Sequence, residues 1–473
     1  MYGVSLSPLQ LPWVIYAIGH GEGALERAMA IATLAAHNRQ IIILTNSPYA
    51  SVARNQISQT PALQSRISIQ SVPYVVSSQD ASIGSNTAES NRAEAALQLE
   101  QLCSIAPFVL IVDAPPDGFY QELTDILTAL NNIPKVLVLR DLEPQHIIAR
   151  DLEHFIKSHY DLAIAPGAYE APYTVEQLFS LQPNALQFDT SQFDIPQFDI
   201  QRTPPWLGKS IYTSVARAVA RHLLGLAVKP TDDADTEPNT NTSTDSTPDS
   251  NTRSALGNNN KTILVISSQE PGERSTYDYL CAALVQQCPQ VIVRYVSPLP
   301  PDDCPVDIWY SDWPATKLLP AADLVIGAGN YANIYACQLL SIPLIAFPWM
   351  RQDDLQRQRL ERAAANQKSS IKIVTSAASA LSCVFEFLNQ GITHSPAPPS
   401  SAQPSSDLPP LAPPSLDNVV VGTQIAVDLI ESIAVRKWHQ AAQIAMESDI
   451  NQFREQCKAQ HQTQRFDTRQ ELW

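Results

Sequence analysis

The chain has 473 residues, too many for one ordinary core, so two domains of roughly 150–220 residues are expected. Hydrophobic residues make up 44%, as in soluble globular proteins, and 31 basic against 47 acidic residues leave a formal charge of −16, which argues against general nucleic-acid affinity. The seven cysteines are scattered and form no CxxC pair, so neither a disulfide framework nor a zinc site is expected, and reduced thiols in the cytoplasm fit best.

Residues 13–44 read as strand (WVIYAI), glycine-rich turn (GHGEG), helix (ALERAMAIATLAAH) and strand (IIILT), the opening of a parallel α/β sheet. Leu25, Ala28, Met29, Ala32 and Ala36 share one helix face. In the turn, Gly19, Gly21 and Gly23 imply close backbone approach, and Arg27 in the helix is a candidate partner for a phosphate or carboxylate; the plainer reading is a tight turn with a solvated arginine. Further strands are expected at 107–112 and 135–139. Each leaves a polar loop at its carboxyl end, Asp113 to Gly118 and then Arg140–Asp141, where open α/β sheets bind ligands.

A short repeat, QFDTSQFDIPQFD at 187–199, has a five-residue period and reads as an extended surface insertion rather than a solenoid. A helix is expected at 209–226. Residues 1–228 form the first expected domain, and 229–260 an acidic, polar linker expected to be disordered. Asp233 and Asp235 fall in that linker, so this acidic pair carries no metal-site reading.

The second domain is expected over 261–392, with strands at 262–266, near 291–296 and at 323–327, and another from Pro343 to Phe347. Its first strand runs into Ser267, Ser268, Gln269 and a Pro-Gly helix start, a setting that suits a diphosphate as well as a plain capped helix. At 321–359 an apolar strand, the turn Gly327-Ala328-Gly329, a helix and a second strand form half of a nucleotide-binding βαβ unit. Asn330, Tyr331 and Asn333 at the helix start are candidates to contact a base or sugar, and Asp354 and Gln356, just past the next strand, are further candidates for donor binding. Arg357, Arg359 and Arg362 read as a solvated face. Residues 393–417 are a Pro/Ser-rich flexible insertion, and 418–473 a helical segment with a polar tail.

These motifs resemble those of GT-B-type glycosyltransferases, including the bacterial enzyme that adds N-acetylglucosamine to the lipid-linked peptidoglycan precursor. The matching elements are Gly21-Glu22-Gly23-Ala24-Leu25-Glu26-Arg27, the Asp113–Gly118 loop, Arg140-Asp141, Tyr160-Asp161 through Pro166-Gly167, Ala321-Ala322-Asp323 with Gly327, Gly329 and Tyr331, and Asp354-Leu355-Gln356. The resemblance implies two Rossmann-like α/β domains around a cleft. It implies a UDP-sugar donor held mainly by the C-terminal domain, an unknown acceptor on the N-terminal one, and no obligatory metal or resident cofactor. His20 and Glu22 are the candidate bases. The chain departs from the family pattern at Ala24, where a histidine is expected, at Ala336, where an acid would grip the ribose, and at Tyr331-Ala332-Asn333. A GT-B protein that binds a nucleotide, sugar or protein without catalysis, and an enzyme similar to UDP-N-acetylglucosamine 2-epimerase, remain alternatives. No segment has the length of a membrane span and the N-terminus lacks a basic region before its apolar run, so a cytoplasmic protein without a transmembrane segment is expected, with peripheral membrane association left open.

Overall fold

A computed structural model describes residues 11–19, 22–72, 93, 96–101, 107–119, 121–167, 199–208, 216–226, 261–268, 270–302, 304–351, 354–366, 370–389 and 416–470. The chain folds as two compact units, Met1–Leu207 with Met350–Leu355 and Pro414–Trp473, and Gly208–Trp349 with Gln356–Pro413.

The first unit is built on a seven-stranded sheet. Its strands are β1 (Trp13–Ala17), β2 (Ile41–Thr45), β3 (Ile67–Ser71), β4 (Val109–Asp113), β5 (Lys135–Val138), β6 (Leu162–Pro166) and β7 (Asp199–Thr203). They lie in the order β3-β2-β1-β4-β5-β6-β7 and every pairing is parallel. β1, β4 and β6 are buried along their whole length, which is why they read as continuous apolar runs: a parallel strand covered on both faces has no polar side. Val14, Tyr16, Leu110, Val112, Leu123 and Tyr160 belong to one core cluster.

The second unit carries a six-stranded sheet of β8 (Thr262–Ile266), β9 (Ile292–Val296), β10 (Trp309–Tyr310), β11 (Leu324–Ala328), β12 (Leu344–Phe347) and β13 (Ile371–Ile373). Its order is β10-β9-β8-β11-β12-β13, again wholly parallel. In both sheets the chain runs outward from a central strand, then crosses to the other side and runs outward again. That reversal is the Rossmann switch point, between β1 and β4 in one unit and between β8 and β11 in the other. The expected fold class, two Rossmann-like α/β domains, is therefore what the sheets show.

The helix Leu416–Gln470 has 55 residues, about 80 Å at the helical rise, and so runs through most of the expected 418–473 segment, polar tail included. It packs on the first unit through Ala426, Ile430 and Ala434, all fully buried and spaced by one turn. Gly422 lets it close on Pro204, because a Cβ there would come within 2.5 Å of that residue's carbonyl oxygen. Arg39 pairs with Glu431, Lys437 Nζ reaches Asp161 Oδ1 at 2.5 Å, and the Trp438 indole N–H donates to the Phe108 carbonyl at 2.9 Å. The grouping thus differs from the sequence boundaries at 228 and 417. The helix Ala216–Leu223 joins the second unit, with Arg217 hydrogen-bonded to the Pro320 carbonyl at 3.0 Å, and the C-terminal helix returns to the first. The expected linker and residues 393–415 of the expected Pro/Ser-rich insertion lie outside the described residues, as do 187–198 of the repeat and 209–215 of the expected helix; residues 416 and 417 open the C-terminal helix, and the last repeat residue, Asp199, opens β7.

Candidate functional site

In the first unit the register sets Ala17 opposite both Thr45 and Asp113, so β1, β2 and β4 end level with one another. The loops that follow them therefore meet. The Asn46 side-chain amide donates to the Gly19 carbonyl and accepts from the Gly19 N–H, both at 3.0 Å. From the helix Gly23–Ala35, Arg27 reaches back to Asp113 with a two-pronged contact, Nε to Oδ2 at 2.9 Å and Nη2 to Oδ1 at 2.8 Å. From the loop after β5, Arg140 adds Nε to Oδ1 at 2.9 Å and donates to the Ile18 carbonyl at 2.8 Å. Two guanidiniums thus share one carboxylate, which is 1% exposed. Burial, the largest influence on Asp113, raises its pKa; Arg27 and Arg140 together outweigh it, and the carboxyl is held below the usual aspartate value. Gly19 serves this packing directly, since a Cβ there would sit 3.2 Å from Arg140 Nη1.

Gly19, Arg27, Asp113 and Arg140 are thus brought together, and Arg27 meets a carboxylate of the chain itself. Glu22 is half-buried just before the helix Gly23–Ala35, and Gly23 is its first residue. His20 and Gly21 lie outside the described residues. The loop after β4 supplies a polar group that sequence reasoning did not single out: Asp117 and Glu122 are both buried, with Arg150 at 2.5 Å from Asp117 and the Tyr16 hydroxyl donating to Glu122 at 2.8 Å. Tyr16 and Glu122 are 106 positions apart, so no local pattern could have paired them.

In the second unit β8 and β11 are neighbours, and their loops carry the expected donor residues. After β8, Ser268 Oγ donates to Glu273 Oε2 at 2.7 Å and accepts from the Glu270 N–H at 3.3 Å. Glu273 is thereby engaged with a hydroxyl. Ser267 is buried; Gln269 lies outside the described residues. After β11, Asn330 caps the helix Tyr331–Leu339 by accepting from the Asn333 N–H at 2.8 Å, the cap that its short polar side chain favours. The helix opens at the carboxyl end of the sheet, where its positive dipole end favours an anion.

The two glycines of this turn answer to packing within the unit. A Cβ on Gly327 would sit 2.8 Å from the Asn333 side-chain nitrogen, and one on Gly329 would collide with the Leu360 side chain. Asn333 is 1% exposed and its amide donates to the Ala328 carbonyl at 3.1 Å. Tyr331 is buried against Tyr335, and Ala336 is fully buried. Gln356 and Arg359 are also buried, the latter donating to the Gly329 carbonyl at 3.3 Å; the expected solvated face at 357–362 therefore loses Arg359, which closes over the turn. Asp354 groups with the first unit, in a bridge to Arg351, and Gln356 with the second.

Among the described residues no cluster of three or more His, Cys, Asp or Glu could hold a metal ion, and no helix is long and apolar enough to cross a membrane. No family model and no curated protein matches the chain. Solved structures resemble it at low identity. A glycotransferase of kitacinnamycin is 12% identical, covering 90% of this chain and 99% of that one with a TM-score of 0.46. MurG from Acinetobacter baumannii is 11% identical over 89% and 99%, at 0.42, and a UDP-N-acetylglucosamine 2-epimerase from Rickettsia bellii 10% over 80% and 88%, at 0.44. With scores this modest, the strand order itself is the ground for the fold: two Rossmann-like units in one chain, the domain make-up of GT-B proteins.

Proposed function

We propose that this chain is a GT-B-type glycosyltransferase that transfers a sugar, N-acetylglucosamine being one candidate, from a UDP-sugar to a hydroxyl acceptor. The donor belongs to the second unit and the acceptor to the first. The observation that carries this reading is the strand order, which brings Ser267 and Ser268 and the Gly327–Asn333 turn to the carboxyl ends of neighbouring strands at a switch point. In the reaction the acceptor oxygen forms a bond to the anomeric carbon as the bond from that carbon to the diphosphate breaks. The acceptor proton passes to Glu22 or His20, and the start of the Tyr331–Leu339 helix stabilises the charge on the departing diphosphate.

A second reading, nucleotide binding without transfer, is favoured by Ala336, a fully buried methyl where a ribose-gripping acid is expected. Losing that contact costs about 1–3 kcal/mol of donor affinity. Thermal shift with UDP and a panel of UDP-sugars tests both readings, combined with detection of UDP released from the donor. Stabilisation with UDP release supports transfer. Stabilisation alone supports the second reading, and no shift with any nucleotide overturns both.

A further inference from the structure

The second unit holds thiols that the proposed chemistry does not use. Its described cysteines, Cys281, Cys288, Cys304, Cys337 and Cys383, carry no disulfide, and the structure sets two of them together. Cys281 lies on the helix Pro271–Gln287 and Cys304 in the chain that follows β9; both belong to the apolar core cluster that holds Tyr277 and Ile308. The Cys304 thiol donates to the Asp278 carbonyl at 3.1 Å, which places its sulfur within one helical turn of Cys281. The two cysteine side chains are hydrogen-bonded to each other. The residues before Cys304 are tied to the same helix. The Asp302 N–H donates to Asp278 Oδ2 at 3.1 Å, and Arg274 Nη2 reaches Asp302 Oδ1 at 2.6 Å and the Pro300 carbonyl at 2.5 Å. Just past Cys304 the chain turns into the short 3-10 helix Val306–Ile308. Packing on both sides thus holds the two sulfurs near each other.

We propose that Cys281 and Cys304 are a reversible redox pair, which a small peroxide oxidises to a disulfide that staples the chain after β9 to the helix Pro271–Gln287. The side chains already touch, so reaching the bonded distance of about 2.05 Å is a matter of side-chain rotation. Cys304 is 8% exposed and Cys281 0%, so the peroxide meets Cys304 first. The Cys304 thiolate sulfur attacks one peroxide oxygen, the O–O bond breaks, and a sulfenic acid forms as hydroxide leaves. That hydroxide takes up the proton that Cys304 released and becomes water. Contact with Cys304 is the largest influence on the Cys281 thiol, followed by burial; both raise its pKa and keep Cys281 protonated until Cys304 is oxidised. The Cys281 sulfur then bonds to the Cys304 sulfur, the S–O bond breaks, and the hydroxyl departs with the Cys281 proton as a second water. Two electrons pass from the thiols to the peroxide, and a dithiol reductant returns two to the pair. The staple acts beside the turn after β8, because the Ser267 N–H donates to the Val296 carbonyl at the end of β9 at 2.9 Å.

Hydrogen peroxide added to the folded full chain, followed by alkylation of the remaining thiols in urea and peptide mass mapping, reads the pair. Cys281 and Cys304 should lose alkylation together, their peptides should appear joined and lighter by two hydrogen atoms, and dithiothreitol should restore both thiols. Hydrogen–deuterium exchange over residues 292–302 should slow in the oxidised chain, while peptides over β12 keep their rates. In Cys304→Ala, Cys281 should remain fully open to alkylation after the same treatment. Absence of the joined peptide, or a predominance of any other pairing, overturns the proposal; unchanged exchange over 292–302 overturns the staple. Should Cys304→Ala fail to fold, the unaltered chain oxidised in urea decides: pairings spread over other cysteines support the proposal, and the same preference for Cys281 with Cys304 in the unfolded chain overturns it.

Discussion

Replacing Asp113 with alanine tests the assembly of the first switch point most directly. The carboxylate is buried and is the shared partner of Arg27 and Arg140, which are themselves only 10% and 11% exposed at their side chains. Its removal leaves two guanidiniums facing each other out of water, the situation in which breaking a buried ion pair costs about 3–5 kcal/mol. In a unit of this size that corresponds to a fall in Tm of roughly 6–20 °C. Asp113→Asn keeps an oxygen acceptor without the charge, so it should lose less. Urea unfolding of the three proteins, followed by a probe in the first unit, measures the series. The pH dependence has a definite sign: because the folded carboxyl lies below the ordinary value of 3.8, its stabilising contribution is complete above that value and is lost only as the pH falls through the depressed folded one. The gap between the unaltered chain and Asp113→Asn should therefore stay constant from neutral pH downward and close only in that acidic range. A loss below about 1 kcal/mol in Asp113→Ala, the size of an exposed pair, would refute the reasoning; so would a gap that closes above pH 3.8.

Gly329→Ala should destabilise the second unit by about 1–3 kcal/mol through the clash with Leu360. Adding Leu360→Ala should recover part of that loss, and urea midpoints of the single and double variants decide it: strictly additive losses would show that the glycine serves something else. Trp438→Ala removes the stack on Phe108 and the 2.9 Å hydrogen bond to its carbonyl, a cost of about 1–3 kcal/mol for a half-buried ring. Limited proteolysis should then cut the helix Leu416–Gln470 faster than in the unaltered chain; an unchanged cleavage rate would mean that the clasp depends on Arg39 and Lys437 instead.

The central strands were legible because burial on both faces leaves nothing but apolar residues: WVIYA, VLIVD, TILVI and LVIGA announce themselves. Strands nearer the sheet edges did not. β3 alternates buried and exposed residues, β10 has two residues and β13 is largely exposed, so each carries a pattern too short or too polar to separate from a loop. Arg27, Asp113 and Arg140 could each be picked out as polar residues after a strand or in an opening helix. Their union could not, since it spans 86 positions in one pair and 27 in the other and exists only once β1, β4 and β5 lie side by side. Gly327 and Gly329 show the opposite problem. The sequence marks them as places that require glycine, and the residues that require it, Asn333 and Leu360, become visible only in the packed unit.

The return of the C-terminal helix has a consequence for the order in which the protein is made. The first unit draws on residues up to 207, on 350–355 and again from 414 onward, with every strand of the second unit's sheet between 207 and 414. A ribosome therefore delivers every strand of both sheets before it delivers Ala426, Ile430, Ala434 and Trp438. The surface around Arg39, Phe108 and Pro204 stays open to water until then, while the second sheet is free to fold first. Expressing residues 1–228 alone would yield a sheet without its clasp, and the first unit is better obtained by joining the helix to its strands through a short designed linker.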